Sequence, residues 1–213
     1  MTNLTLPPLY LVTDRHQVGE TNFLKFLEEL IPCGGFMLQL REKDLSIRAL
    51  LQLATTISKW TKSFRVPFLI NDRVDVVMAT QADGVHLRES SLPVQKAREC
   101  LGPKRLIGVS VHSVEDAVAR EQEGADFVVL GPIYDTPSKQ SHGSPLGLSI
   151  LQEATRMCHI PIFAIGGIQP SCVEEIQKTG AYGVAVISSI FQSTSSTETV
   201  KYFTAKLGVP EAP

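Results

Sequence analysis

From Leu9 onward the chain repeats one pattern: an apolar run of strand length, a polar turn, then an amphipathic run of helix length. Apolar runs at 9–14, 36–42, 68–72, 84–87, 106–112, 127–133, 161–167 and 183–188 predict eight strands. Helical spacing at 22–31, 46–61, 114–123, 148–158 and 171–179 predicts helices between them. Several of these open on a capping residue and close on glycine, as Ser113 with Gly124 and Ser171 with Gly180 do. Eight strand–helix units in 213 residues predict an α/β protein built as a single (β/α)8 TIM barrel, one domain over residues 1–213. A doubly wound sheet would place a glycine-rich turn after the first strand, and the segment there, TDRHQVG, is not glycine-rich. One stretch breaks the alternation. Residues 134–145 are rich in Ser, Gly and Pro and carry Lys139, the composition expected of a functional lid.

Composition narrows the function classes. The formal net charge of −2 lacks the basic excess of a nucleic-acid binder. The four cysteines are scattered without a CxxC pair, so neither a zinc site nor a disulfide framework is expected. The first apolar run is too short for a membrane span or a signal peptide, and the expected location is the cytoplasm. Apolar helix faces on a small barrel allow a homo-oligomer.

In this architecture the chemistry lies at the C-terminal ends of the strands. The second strand ends in Gln39-Leu40-Arg41-Glu42-Lys43, and alternation puts Gln39, Arg41 and Lys43 on the inner side. Two cations beside an amide suit a phosphate or diphosphate, and the plainer alternative is pairing with carboxylates at the rim. The third strand ends in Asn71-Asp72, where the carboxylate can hold Mg²⁺, turn an arginine or cap the next helix. The fifth ends in Ser110-Val111-His112, which puts Ser110 and His112 on one face; such a histidine is either a proton shuttle or a hydrogen-bonded structural residue. After the sixth come Thr136, Ser138 and Lys139 on the irregular loop. His86 and His142 are expected to be structural or solvated. The last two strands stop at Gly166-Gly167 and at Ser188-Ser189, a glycine turn and a helix start that together make a phosphate cup.

The segments QLREK (39–43), ND (71–72), SVHS (110–113), GPIYDTPSK (131–139), AIGGI (164–168) and VISSIF (186–191), in this order on successive strands, resemble the thiamine phosphate synthase superfamily over Leu9 to about Phe203. Two activities are implied. The synthase joins hydroxymethylpyrimidine diphosphate to a thiazole phosphate, releasing diphosphate and using Mg²⁺. The TenI-type tautomerase isomerises thiazole carboxylate phosphate and needs no metal. By resemblance the synthase would use Gln39, Arg41, Lys43, Asn71, Thr136, Ser138 and Lys139 around the pyrimidine diphosphate. Gly166, Gly167, Ser188 and Ser189 would hold the thiazole phosphate in either enzyme. One departure stands out. Where the synthase reads H-x-G-Q-x-D after the fourth strand, this chain reads His86-Leu87-Arg88-Glu89-Ser90-Ser91, so Ser91 replaces a metal carboxylate and Asp72 alone remains. The expectation is therefore a thiazole tautomerase with His112 as the shuttle and Lys139 beside it, without cofactor. The synthase with Mg²⁺ is second, and a non-catalytic binder of thiazole or thiamine phosphates is third.

Overall fold

The computed structural model describes residues 6–136 and 144–210. Eight parallel strands close a barrel in chain order: β1 (Leu9–Val12), β2 (Phe36–Leu40), β3 (Phe68–Asn71), β4 (Gly84–Leu87), β5 (Leu106–Val111), β6 (Phe127–Leu130), β7 (Ile162–Ile165) and β8 (Gly183–Val186), with β8 paired back onto β1. Around them lie α1 (Phe23–Leu30), α2 (Ile47–Ser63), α3 (Val74–Ala79), α4 (Val94–Leu101), α5 (Val114–Gln122), α6 (Gly147–Met157), α7 (Val173–Lys178), α8 (Ser188–Phe191) and α9 (Ser196–Lys206). The (β/α)8 expectation stands.

Alternation along each strand separates two apolar layers. Leu9, Leu11, Leu38, Ile70, Val85 and Val128 pack outward against the helices, while Tyr10, Met37, Leu69, Phe127, Phe163 and Ala185 fill the barrel interior. The interior is plugged by rings: Tyr10 meets Phe127 edge-on at 5.6 Å, and Phe127 meets Phe163 at 5.5 Å. Burying each such side chain contributes about 1.5–3 kcal/mol. Gly108, the register partner of Phe127, makes the plug possible, because a Cβ there would lie 2.2 Å from the Phe127 ring. Two residues further along β2, β4 and β5 the inward positions change character, to Gln39, His86 and Ser110. The apolar plug is thus the floor on which a polar pocket stands.

Most strands stop short of the apolar runs that mark them. The runs continue to residues 14, 42, 72, 112, 133, 167 and 188, yet β1, β2, β3, β5, β6, β7 and β8 end one to three residues earlier. Beyond those points the chain turns out of the ladder. Asp72 has φ 68°, and Gly166 and Gly167 have φ 99° and 66°, conformations that no strand continues through. Helix ends follow their caps at Ser46 and Ser113, whose Oγ atoms accept from Ala49 N (3.3 Å) and Asp116 N (3.0 Å). Ser171 is a correction: it sits inside a single 3-10 turn, Pro170–Cys172, and α7 starts at Val173 with no side-chain cap. Pro170, favoured at a first helical position, starts that turn ahead of the serine.

Candidate active site

A pocket of about 290 Å³ opens at the C-terminal mouth of the barrel. Its lining includes Gln39, Arg41, Lys43, Asn71, Ser110 and His112, all expected there, together with His86, Arg88, Glu89 and Ser90. A larger cavity, about 570 Å³, lies at the opposite end of the strands among Pro7, Arg65, Pro67 and Arg105. Size does not decide between them, because the converging polar side chains and strand ends belong to the smaller one.

The floor of the pocket is a chain of hydrogen bonds running across the barrel. Gln39 Nε2 donates to Tyr10 Oη (3.0 Å), Tyr10 Oη lies 3.3 Å from His86 Nδ1, and His86 Nε2 lies 2.9 Å from Ser110 Oγ. With the Tyr10 hydrogen directed at His86 Nδ1, the ring carries its proton on Nε2 and gives it to Ser110; the other tautomer reverses both bonds. Burial, and after it the nearby Arg41, press the His86 pKa down to about 3, which keeps the ring neutral. Burial likewise raises the Tyr10 phenol well above its ordinary value.

Arg41 and Lys43 are aimed by a latch behind them. Glu42 points away from the pocket, as alternation requires, and is buried against Arg15 and Thr13. Thr13 Oγ1 donates to Glu42 Oε1 (2.5 Å), Arg15 donates to Glu42 from its backbone N and its Nη1 (each 3.2 Å), and Arg41 N donates to Thr13 Oγ1 (2.9 Å). The backbone carrying the two cations is thereby bolted to the β1 loop. Burial lowers the pKa of Arg41. Burial first, then Arg41 and Arg88, lowers that of Lys43. The three cations repel one another, so the mouth is short of negative charge.

Asp72 does not stand ready for a metal. Arg88 Nε donates to Asp72 Oδ2 (2.9 Å) and Arg88 Nη2 pairs with the same oxygen; Ser91 Oγ donates to Asp72 Oδ1, and Arg88 N donates to Ser91 Oγ (2.8 Å). Both carboxylate oxygens are engaged, and Ser91 brings a hydroxyl where an anionic ligand would be needed. A magnesium ion asks for near-octahedral oxygen ligands at about 2.0–2.1 Å, and the residues present do not fit it. Among the described residues, the group of acids and histidines close enough to share an ion is the exposed set His16, Glu20 and Asp44. Arg15 already bridges Glu20 and Asp44, at 3.1 and 2.5 Å.

His112 lies at the edge of the pocket with Nδ1 2.5 Å from the Gly131 carbonyl oxygen. A carbonyl only accepts, so Nδ1 carries the hydrogen and Nε2 is left as the ring atom for a bound molecule. Beside this pocket, and sharing Ile165 and Ile187 with it, is a second hollow lined by Thr136, Gly166, Gly167, Ser188 and Ser189. Both glycines are forced by their surroundings. A Cβ on Gly166 would lie 2.6 Å from Pro132 Cβ, and one on Gly167 would lie 2.6 Å from Asp135 O. Ile187 opens α8 without a side-chain acceptor for the first-turn N–H groups. The Ser189 hydroxyl instead donates to Ile168 O, so its side chain braces the hollow.

The structure thus brings Gln39, Arg41, Lys43, Asn71, Ser110 and His112 together, with Gly166, Gly167, Ser188, Ser189 and Thr136 in the adjoining hollow. Ser138, Lys139, His142 and the expected lid lie outside the described residues, apart from its stems. One residue escaped the sequence, Tyr10, hidden in an apolar run; His86, expected to be structural or solvated, is buried and hydrogen-bonded at both ring nitrogens and also forms part of the pocket floor. The available signal was alternation, which puts His86 on the inward face of β4 one step above Gly84.

Comparison with known proteins gives one direction. Residues 9–190 match the family described as thiamine monophosphate synthase. A Geobacter sulfurreducens protein named "Putative thiamine-phosphate synthase" is 46% identical over 93% of each chain. The thiamine-phosphate synthase of Clostridium novyi is 39% identical over 87% of this chain and 91% of its own. The solved thiamine phosphate pyrophosphorylase of Pyrococcus furiosus superposes with a TM-score of 0.85 at 31% identity, covering 95% of this chain and 96% of the other. These names stand with the coupling activity, which was expected second, rather than with the tautomerase expected first.

Proposed function

The chain belongs to the thiamine monophosphate synthase family, and from that membership we propose that it couples hydroxymethylpyrimidine diphosphate to a thiazole phosphate in the cytoplasm, with release of diphosphate. The observation that carries this reading is the pairing of two adjoining hollows at one mouth. The first offers amide and hydroxyl groups from Gln39, Asn71 and Ser110 beside the cations Arg41 and Lys43. The second offers a glycine turn and an open helix start, suited to a phosphate. In this reading the pyrimidine diphosphate takes the first hollow and the phosphate of the thiazole the second, supported by the Ile165 and Ile187 wall that the two have in common.

In the proposed reaction the bond from the pyrimidine methylene carbon to the diphosphate oxygen breaks, and the thiazole nitrogen lone pair forms the new carbon–nitrogen bond. Negative charge gathers on the departing diphosphate, and the role of Arg41 and Lys43 is to receive it. Holding both rings in one pocket lowers the entropic part of the barrier. Magnesium accompanies this activity in the resemblance; since Asp72 and Ser91 do not fit it, no step is assigned to a metal. One observation favours the thiazole tautomerase as a second reading: His112, with Nδ1 held by Gly131, has Nε2 available to lift and return a proton.

The test is an incubation of the protein with both substrates, with and without Mg²⁺, followed for thiamine phosphate. Steady product formation supports coupling. Absence of product from a protein that still binds the thiazole phosphate refutes it and moves the tautomer assay forward, where His112→Asn should abolish isomerisation while leaving phosphate binding within a few-fold.

A further inference from the structure

We propose that Arg88 is a resident counter-charge at the anion end of the pocket, so that this chain binds diphosphate without a divalent cation. The inference rests on the reading of a diphosphate as ligand, and it concerns what holds that group. Three observations carry it. Arg88 lies against Asp72 through both Nε and Nη2, the place an ion would need in order to use that carboxylate. Ser91 closes the other oxygen of Asp72 and also accepts from Arg88 N, so the turn carrying the arginine is held by the residue it neutralises. Finally, Arg88 lines the same pocket as Arg41 and Lys43, and its side chain is 43% exposed, so part of the guanidinium is open to a ligand.

Charge bookkeeping agrees. Arg88 offsets Asp72, so that Arg41 and Lys43 against Glu89 leave one net positive charge facing a polyanion, where without Arg88 none would remain. Guanidinium groups also supply paired N–H donors in a plane that suits phosphate oxygens, which a hydrated ion does not. Exposed Glu89 is the one further acid lining the pocket. Alone it gives a metal a single open carboxylate.

The experiment uses the full chain and inorganic pyrophosphate as the probe, titrated by calorimetry in buffer with chelator and again with Mg²⁺. The wild type should bind in chelator, with affinity changed less than about threefold by the metal. Arg88→Met, which keeps the stem and removes the charge, should weaken binding about tenfold or more, the effect expected for loss of a charge-assisted hydrogen bond. Arg88→Lys should recover part of the loss. Thermal melting of each variant guards against misfolding. In the double variant Arg88→Gly with Ser91→Asp, the freed carboxylates should bind Mn²⁺, seen directly by electron paramagnetic resonance, and pyrophosphate binding should become metal-dependent. Two outcomes overturn the proposal: wild-type binding that appears only with Mg²⁺, or unchanged affinity in a well-folded Arg88→Met. Failure of coupling with pyrophosphate binding intact would instead refute the proposed reaction and leave this role of Arg88 standing.

Discussion

His86 gives the structure a measurable dependence of stability on pH. Its ring is buried and neutral in the fold, with a pKa pressed down to about 3, against about 6.5 in an unfolded chain. Below pH 6.5 the unfolded state takes up a proton that the folded state refuses, so stability falls as pH falls until the folded pKa is reached. Between pH 7.5 and 5 that single group should cost about 2 kcal/mol, from about 1.4 kcal/mol per pH unit of unshared protonation. Urea unfolding at the two pH values measures it, with His86→Gln as the reference. The glutamine variant is expected to be less stable at pH 7.5, having lost the contact with Tyr10 or Ser110, yet to show a pH-dependent loss smaller by about 2 kcal/mol. Other titrating groups, among them Asp83, whose carboxyl is raised by desolvation, act alike in both proteins and cancel. Equal slopes for wild type and variant would refute the reasoning, because His86 would then ionise in the fold as freely as outside it.

Other perturbations test separate parts. Gly108→Ala should destabilise by about 1–3 kcal/mol or more, seen as a lower melting temperature, since the added carbon would lie 2.2 Å from the Phe127 ring. Glu42→Gln should loosen the latch, costing about 1.5–3 kcal/mol of stability as Thr13 and Arg15 lose their hydrogen bonds to a buried carboxylate while Asp44 and Glu20 still pair Arg15, and calorimetry should show weaker pyrophosphate binding because Arg41 hangs from the same bolt. Gly167→Val should weaken thiazole phosphate binding, since the side chain would press on Asp135 O and Tyr134; unaltered affinity would place the phosphate elsewhere.

Much of the architecture is legible because a barrel of parallel strands repeats one local rule. Period-two alternation correctly put Gln39, Arg41 and Lys43 inward and Glu42 outward, and needed no knowledge of distant partners. What local pattern cannot supply is the closing of the barrel. Tyr10 and His86 are 76 residues apart in sequence and meet only because eight strands return to their start. The ion pair of Arg88 with Asp72 depends on the turn at φ 68°, which an aspartate adopts at some cost and which its residue type does not announce. The departure of Arg88 and Ser91 from the synthase pattern was visible in the sequence. That the arginine lies against the aspartate was visible only in three dimensions. The tautomerase expectation leaned on that departure, and the named relatives turned the reading toward coupling.

The row of hydrogen bonds from Gln39 to Ser110 lets residues beneath the pocket set the behaviour of the hydroxyl at its surface. A serine that receives from His86 keeps its own hydrogen for a lone pair of a bound ring and one lone pair for a ring N–H. Shift the imidazole proton to the other nitrogen and the same serine must spend its hydrogen on the histidine, leaving the ligand only an acceptor. The polarity a bound molecule meets at Ser110 is thus tied to a tyrosine at the bottom of the barrel that no ligand need touch.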